Sequence, residues 1–318
     1  MSVITNRNSQ TDNKLVILLY HGVTNSVGYG IENSSGKHID KKLFNKQMRF
    51  IKNNCNVLSM DEVIDLFVSK TPIPANAVAV TFDDGFTNNF TDAAQILDDI
   101  GVPATFYITT GMIGTNQMFW VDQLETCINL STKKNIEVCL GDNRQIFQVG
   151  SYKDKVNSLN VIKTFCKNIH KDKKDLIVEN VISETGVFPN SKQSLNYRVL
   201  TWNEVKQMNT NPLFSFGGHN VTHDTLSYLN HDEAVEQISG SINALKKNLG
   251  EDIVHYSYPE GQANHFNNST IIILKANGIR CCPSAINGVN MKGDDLFHLQ
   301  RTMVGMSDIV FPWRFNND

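Results

Sequence analysis

Apolar runs and amphipathic stretches alternate along this chain. Leu15 to Tyr20 is a continuous apolar run that stops at His21-Gly22, which predicts a buried strand followed by a turn. Ser59 opens S-M-D-E, a capping box, and a helix continues through Val63, Ile64 and Phe67. Val78 to Phe82 predicts a second buried strand, ending at Asp83-Asp84-Gly85. A helix follows with Ala93, Ile96 and Leu97 on one face and Gly101 as its C-terminal cap, and Ala104 to Ile108 predicts a third strand. The alternation resumes late in the chain. Thr201 opens T-W-N-E, a further capping box, and Phe214 to Phe216 predicts a short strand leading into Gly217-Gly218-His219. Asn230, with Glu233 three residues on, caps a helix that ends near Gly250, and His255 to Tyr258 predicts a strand stopped by Pro259. Strands alternating with helices imply an α/β fold with a parallel sheet or barrel.

The stretch from Phe119 to Tyr197 breaks this rhythm. Ile136 to Leu140 and Gln145 to Val149 alternate around Gly141-Asp142-Asn143, which predicts a hairpin. Val156, Leu159, Ile162, Cys166 and Ile169 recur at helical spacing. Lys163, Lys167, Lys171, Lys173 and Lys174 crowd the same region. They read as a solvated helical face, ahead of the sharper alternative of a basic lip for an anionic substrate. Residues 119–197 are thus expected to be an insertion on a single barrel domain spanning 1–318.

Bulk properties narrow the function. The 318 residues carry a formal net charge of -3, which gives no support for nucleic-acid binding. No apolar run approaches the roughly 20 residues of a membrane helix. Met1 to Asn13 is polar and lacks the apolar core of a signal peptide, so a cytoplasmic location is expected. The six cysteines (Cys55, Cys127, Cys139, Cys166, Cys281, Cys282) show no C-x-x-C spacing and read as small buried side chains.

Candidate chemistry gathers at the predicted strand ends, where active sites of parallel α/β folds form. Asp83 and Asp84 are adjacent carboxylates. On an extended strand end their side chains point in opposite directions, which leaves one to ligate an ion and the other to move a proton. Taken alone, Asp-Asp-Gly reads as a turn. His219 and His223 stand four residues apart, which lets both imidazoles face one ion from a helical turn or from a tight loop. Two histidines and a carboxylate make a common open metal site. Tyr256-Ser257-Tyr258-Pro259-Glu260-Gly261 leaves another strand; its proline and glycine fix a turn whose backbone N–H could face the site.

Together these segments resemble the polysaccharide deacetylase family, the carbohydrate esterases that remove N-acetyl groups from amino sugars. The resemblance rests on Thr81 to Gly85, on His219 to His223 and on Tyr256 to Gly261. Tyr20-His21-Gly22-Val23, Pro103 to Phe106 and Leu200-Thr201-Trp202 support it. It implies a distorted (β/α)7 barrel and one divalent ion, zinc ahead of cobalt or nickel. It also implies Asp83 as the base on the attacking water, Asp84, His219 and His223 as ligands, and Glu260 as the source of an oxyanion N–H. The late Leu296-Phe297-His298 segment does not match the Leu-x-x-His motif that supplies the acid in many members. His21 is therefore preferred to His298 as the acid, because its Y-H-G-V setting is similar to poly-N-acetylglucosamine deacetylases. Family members often have arginine where Ser257 stands, paired with the base; Arg301 is the substitute expected to hold Asp83. Trp202 is either a sugar-stacking platform or a core residue. The substrate implied is an N-acetylated amino sugar, nucleotide-linked or lipid-linked, in surface-polysaccharide synthesis. The Phe119 to Leu124 segment (F-W-x-D-x-L) fits that setting. An amidase acting on another C–N bond and an inactive sugar-binding protein are the alternatives.

Overall fold

The computed structural model describes residues 14–305 apart from Val27. The reading of Met1 to Asn13 lies outside the described residues. The first strand, Lys14–Tyr20, pairs in parallel with Ala77–Phe82, which pairs in turn with Ala104–Ile108 and then Phe214–Gly218. The ring continues through single parallel bridges, Gly218 to Tyr256 and His255 to Cys281. Backbone bonds from Ser284 N–H to Leu299 O (2.8 Å) and from Arg301 N–H to Ile286 O (3.0 Å) carry it on to Thr302–Met303, which pairs in parallel with the first strand. The result is the expected distorted (β/α) barrel, and the distortion lies where full strands give way to single bridges.

Burial explains the continuous apolar runs. All six residues of Ala77–Phe82 and all five of Ala104–Ile108 are buried, as strands covered on both faces must be. Helices Lys41–Asn54, Ala94–Ile100, Trp202–Asn209, His231–Leu249 and Asn268–Ala276 supply the covering side chains of the main core. The capping boxes expected at Ser59, Thr201 and Asn230 are all formed, and Gly101 and Gly250 end their helices in the left-handed conformation.

Between Phe119 and Tyr197 the chain forms helices Trp120–Leu130, Tyr152–Cys166 and Lys171–Thr185 and a hairpin. The hairpin pairs Asn135–Leu140 with Asn143–Gln148, so Gly141-Asp142 is a two-residue turn. Ile169, placed in the helical pattern, falls beyond the helix that ends at Cys166. These elements and Ile31 build a hydrophobic cluster separate from the main core. All six cysteines are free. Four are buried, but Cys139 is exposed on the hairpin and Cys55 is half-buried, which corrects the expectation that all are interior. Among the described residues no helix is long and apolar enough to cross a membrane.

Gly217 and Gly218 let two strands close on each other. A Cβ on Gly218 would lie 2.4 Å from Cε2 of Tyr256, and one on Gly217 would lie 2.7 Å from the His255 carbonyl oxygen. That close approach puts the third motif against the histidine loop.

Candidate active site

Asp83 and Asp84 leave the Ala77–Phe82 strand, but Asp84 is not extended: its φ is 77°. The histidine loop is likewise a loop and not a helical turn, with φ of 62° at Asn220 and 63° at His223. Non-glycine residues in the left-handed region are strained, and they persist where surrounding bonds dictate the backbone. Here those bonds are visible. Tyr256 Oη donates to Asn220 Oδ1 (2.5 Å) and accepts from Asn220 N–H (2.9 Å). Asn220 Nδ2 donates to the Asp224 carbonyl (2.7 Å), and the N–H groups of Val221 and Thr222 donate to Gln237 Oε1, each at 3.0 Å.

The loop brings both imidazoles to Asp84. His219 Nε2 lies 3.6 Å and His223 Nε2 3.3 Å from Asp84 Oδ1, and one ligand atom from each of the three side chains lies within 4.8 Å of the others. His219 Nδ1 is 2.8 Å from the Ser257 carbonyl, which can only accept, so Nδ1 carries the proton and Nε2 keeps its lone pair for an ion. Asp84 Oδ1 is buried with no hydrogen-bond partner among the described residues. An orphaned carboxylate oxygen facing two imidazole nitrogens is the donor set a divalent cation takes, so the residues fit the ion. Burial pushes the His219 imidazole down to about 4, which keeps it neutral as a ligand must be.

Asp83 is held from behind. Arg301 Nη1 donates to Asp83 Oδ1 (2.8 Å) and Nη2 to Oδ2 (2.7 Å), a bidentate pair. The remaining guanidinium N–H groups reach Ser257 Oγ (2.7 Å), Thr81 Oγ1 (3.2 Å) and the Ser284 carbonyl (2.6 Å). All five donors are used, and Arg301 is 0% exposed. Burial pushes the Asp83 carboxyl up, but the Arg301 charge and then His219 outweigh it and hold Asp83 below the ordinary carboxylate range. Ser257 meets this guanidinium with a small hydroxyl that accepts from Nη2. Arg301 stands behind Asp83 and does not line the cavity.

A cavity of about 290 Å³ opens over these groups, lined among others by His21, Asp83, Asp84, His219, His223 and Glu260. His21 Nδ1 is buried without a partner among the described residues. Burial lowers its pKa, while Asp84 and Asp83 pull it back up. His298 is exposed, 3.0 Å from Asp295 Oδ2, and is not part of the cavity wall. Trp202 is half-buried against the main core and does not line the cavity, which favours the core reading of the two. Glu260, with φ of 60°, lines the cavity but is committed to Lys167 Nζ at 2.5 Å. Burial alone would raise its carboxyl; the Lys167 charge and then His223 bring it down to about 2.

The solvated face expected of the lysine cluster also needs correction. Lys163 and Lys167 line the cavity, and Lys174 is buried against Asp224 at 2.7 Å. Lys37, Asp122, Glu125 and Tyr197 line it as well, and none of them was expected at the site. Asp122 did carry a signal, as the acidic position of F-W-x-D-x-L.

The profile of the polysaccharide deacetylase family matches residues 70–282. The Bacillus subtilis (strain 168) protein YxkH, provisionally named a polysaccharide deacetylase, is 26% identical over 113 residues, covering 35% of this chain and 38% of YxkH. The chain thus matches well under half the length of that curated relative. Among solved structures, the Streptococcus pyogenes deacetylase PplD in complex with acetate superposes with a TM-score of 0.58 at 20% identity, over 92% of this chain and 93% of that one. IcaB from Ammonifex degensii gives 0.59 at 17%, over 92% of each chain. At these identities the two structures speak for the fold.

Proposed function

Because the chain belongs to the polysaccharide deacetylase family, we propose that it hydrolyses the N-acetyl group of an amino sugar with one divalent ion, Asp83 serving as base and His21 as acid. The observation that carries this reading is the meeting of Asp83, Asp84, His219, His223 and His21 around one cavity. Asp84, His219 and His223 would hold the ion, and the nitrogen-rich set suits zinc, with cobalt or nickel as substitutes. When bound, such an ion polarises the acetamide carbonyl and lowers the pKa of water. Asp83, kept ionised by Arg301, takes the proton from the attacking water. His21 delivers a proton to the departing amine, a role supported by its place in the cavity wall and by the exposed position of His298. The backbone N–H of Glu260 is the proposed oxyanion donor. A place in surface-polysaccharide synthesis is supported by the Y-H-G-V start and the F-W-x-D-x-L segment.

The test is acetate release from N-acetylated nucleotide sugars, lipid-linked sugars and oligosaccharides, with and without added zinc, cobalt or nickel. Metal-stimulated acetate from at least one class is expected. Sugar binding with no acetate from any of them would indicate a binding protein, and turnover of unrelated amides alone would indicate a different amidase.

A further inference from the structure

The outer cavity wall comes from the segment between Phe119 and Tyr197, and its charges are unevenly committed. Lys37 Nζ bonds Asp122 Oδ1 at 2.6 Å, and Lys167 bonds Glu260 at 2.5 Å. Glu125 Oε1 accepts from Asn33 N–H (2.9 Å) and from the Tyr197 hydroxyl. Two groups are left over. Asp122 is 3% exposed and lines the cavity, yet its Oδ2 has no partner among the described residues. Lys163 also lines the cavity, and no hydrogen bond or ion pair joins its Nζ to a described residue. It feels the charges of Glu125, Lys167, Lys37 and Asp122 without touching any of them.

An anion entering here would face the Asp122 carboxylate, and a cation would face Lys163. A hydroxyl satisfies both, since it donates to Asp122 Oδ2 and accepts from Lys163 Nζ. We propose that Asp122 and Lys163 form a hydroxyl-reading pair that selects the substrate by a sugar hydroxyl remote from the acetamide. The inference rests on the amino-sugar reading above but concerns recognition, not hydrolysis. Lys37 acts on Asp122 as a positioning residue, because it fixes Oδ1 and so aims Oδ2 at the ligand. A site built around a substrate hydroxyl discriminates strongly against the analogue that lacks it, because its buried polar atoms are then left unpaired.

The experiment reads binding separately from turnover. Zinc-loaded protein is titrated with methyl glycosides of N-acetylhexosamines, with their monodeoxy analogues and with acetamide, and binding is followed by saturation-transfer NMR. Wild-type protein should prefer one glycoside to its deoxy analogue by about 10- to 100-fold, as expected of a hydrogen bond to a charged group. Asp122→Asn and Lys163→Met should each erase that preference and leave acetamide binding and zinc content unchanged. Lys163→Met removes a cation with no ion-pair partner among the described residues, so its melting curve should match wild type even if Asp122→Asn weakens the fold. Equal binding of glycoside and deoxy analogue by wild type, or a preference that survives in Lys163→Met, overturns the pair. Pair-dependent sugar binding without acetate release would keep the pair and retire the deacetylase reading. Acetate release with binding indifferent to both substitutions would do the reverse.

Discussion

Arg301→Met removes all five donors that surround Asp83, Ser257, Thr81 and the Ser284 carbonyl, and it leaves the Asp83 carboxylate buried with Ser257 Oγ at 3.3 Å as its remaining side-chain hydrogen bond and His219 Nε2 at 4.0 Å. Breaking one side of a buried pair costs about 3–5 kcal/mol. A chain of 318 residues unfolds with an entropy of roughly 0.7 kcal/mol per kelvin, so the melting temperature should fall by about 4–8 °C at neutral pH. The loss must also depend on pH, and its sign follows from Asp83. In the wild type its folded pKa lies below the unfolded value, so it contributes stability above the unfolded value that disappears as pH falls through the folded one. Without the guanidinium, burial raises the carboxyl instead. The variant then favours the protonated form in the folded state and recovers relative stability as pH falls toward the unfolded value near ~4.

Two assays read this out. Melting of metal-loaded wild type and variant from pH 5 to pH 8 should show a gap that narrows on acidification. The acid limb of kcat/KM should move up by about 1–3 pH units, the usual effect of losing a neighbouring opposite charge. Arg301→Lys keeps the charge but not the fork, so its limb should stay closer to wild type while kcat falls. A melting gap of constant size at every pH, together with an unmoved acid limb, would refute the reasoning and leave Arg301 as packing alone.

Asp83→Asn should retain zinc by elemental analysis and lose about 10²- to 10⁴-fold in kcat, the usual contribution of a general base; retained turnover removes Asp83 from that role. Zinc affinity, measured by chelator competition, should weaken as pH falls. Burial lowers the His223 pKa, but the Asp84 carboxylate, 3.3 Å from Nε2, outweighs it and raises it, so a proton competes for Nε2; a pH-independent affinity would contradict the ligand set. Gly218→Ala would set a methyl 2.4 Å from the Tyr256 ring, costing about 1–3 kcal/mol of overpacking. It should also loosen zinc, because Tyr256 holds the Asn220 end of the histidine loop; lost stability with unchanged zinc affinity would separate the two.

What the sequence disclosed and what it withheld divide along physical lines. Capping boxes, the Gly101 and Gly250 caps and the ends of the first three strands are written in a few neighbouring residues, and they formed where expected, whereas the strand expected over His255 to Tyr258 is reduced to single bridges at His255 and Tyr256. The proximity of Asp84 to His219 and His223 was legible because each residue sits just past a strand of one parallel ring. Their backbone geometry was not: left-handed Asp84, Asn220 and His223 depend on Tyr256 and Gln237, which are distant in sequence. Arg301 was reached by asking what replaces the arginine absent at Ser257, a question about charge balance, yet its full set of five bonds needed the fold. The outer wall was hardest to read. Lys163 and Lys174 sit in the same lysine-rich stretch, and composition alone assigns both to solvent. In the folded chain Lys174 is neutralised by Asp224, whereas Lys163 faces the cavity with no ion pair to a described residue. The difference between a structural lysine and a recognition lysine is therefore set by what the opposite wall offers. That is why the specificity of such a site should change more readily than its metal centre: new partners for Asp122 and Lys163 need only a different helix face. Asp84, His219 and His223, by contrast, are held by the barrel itself.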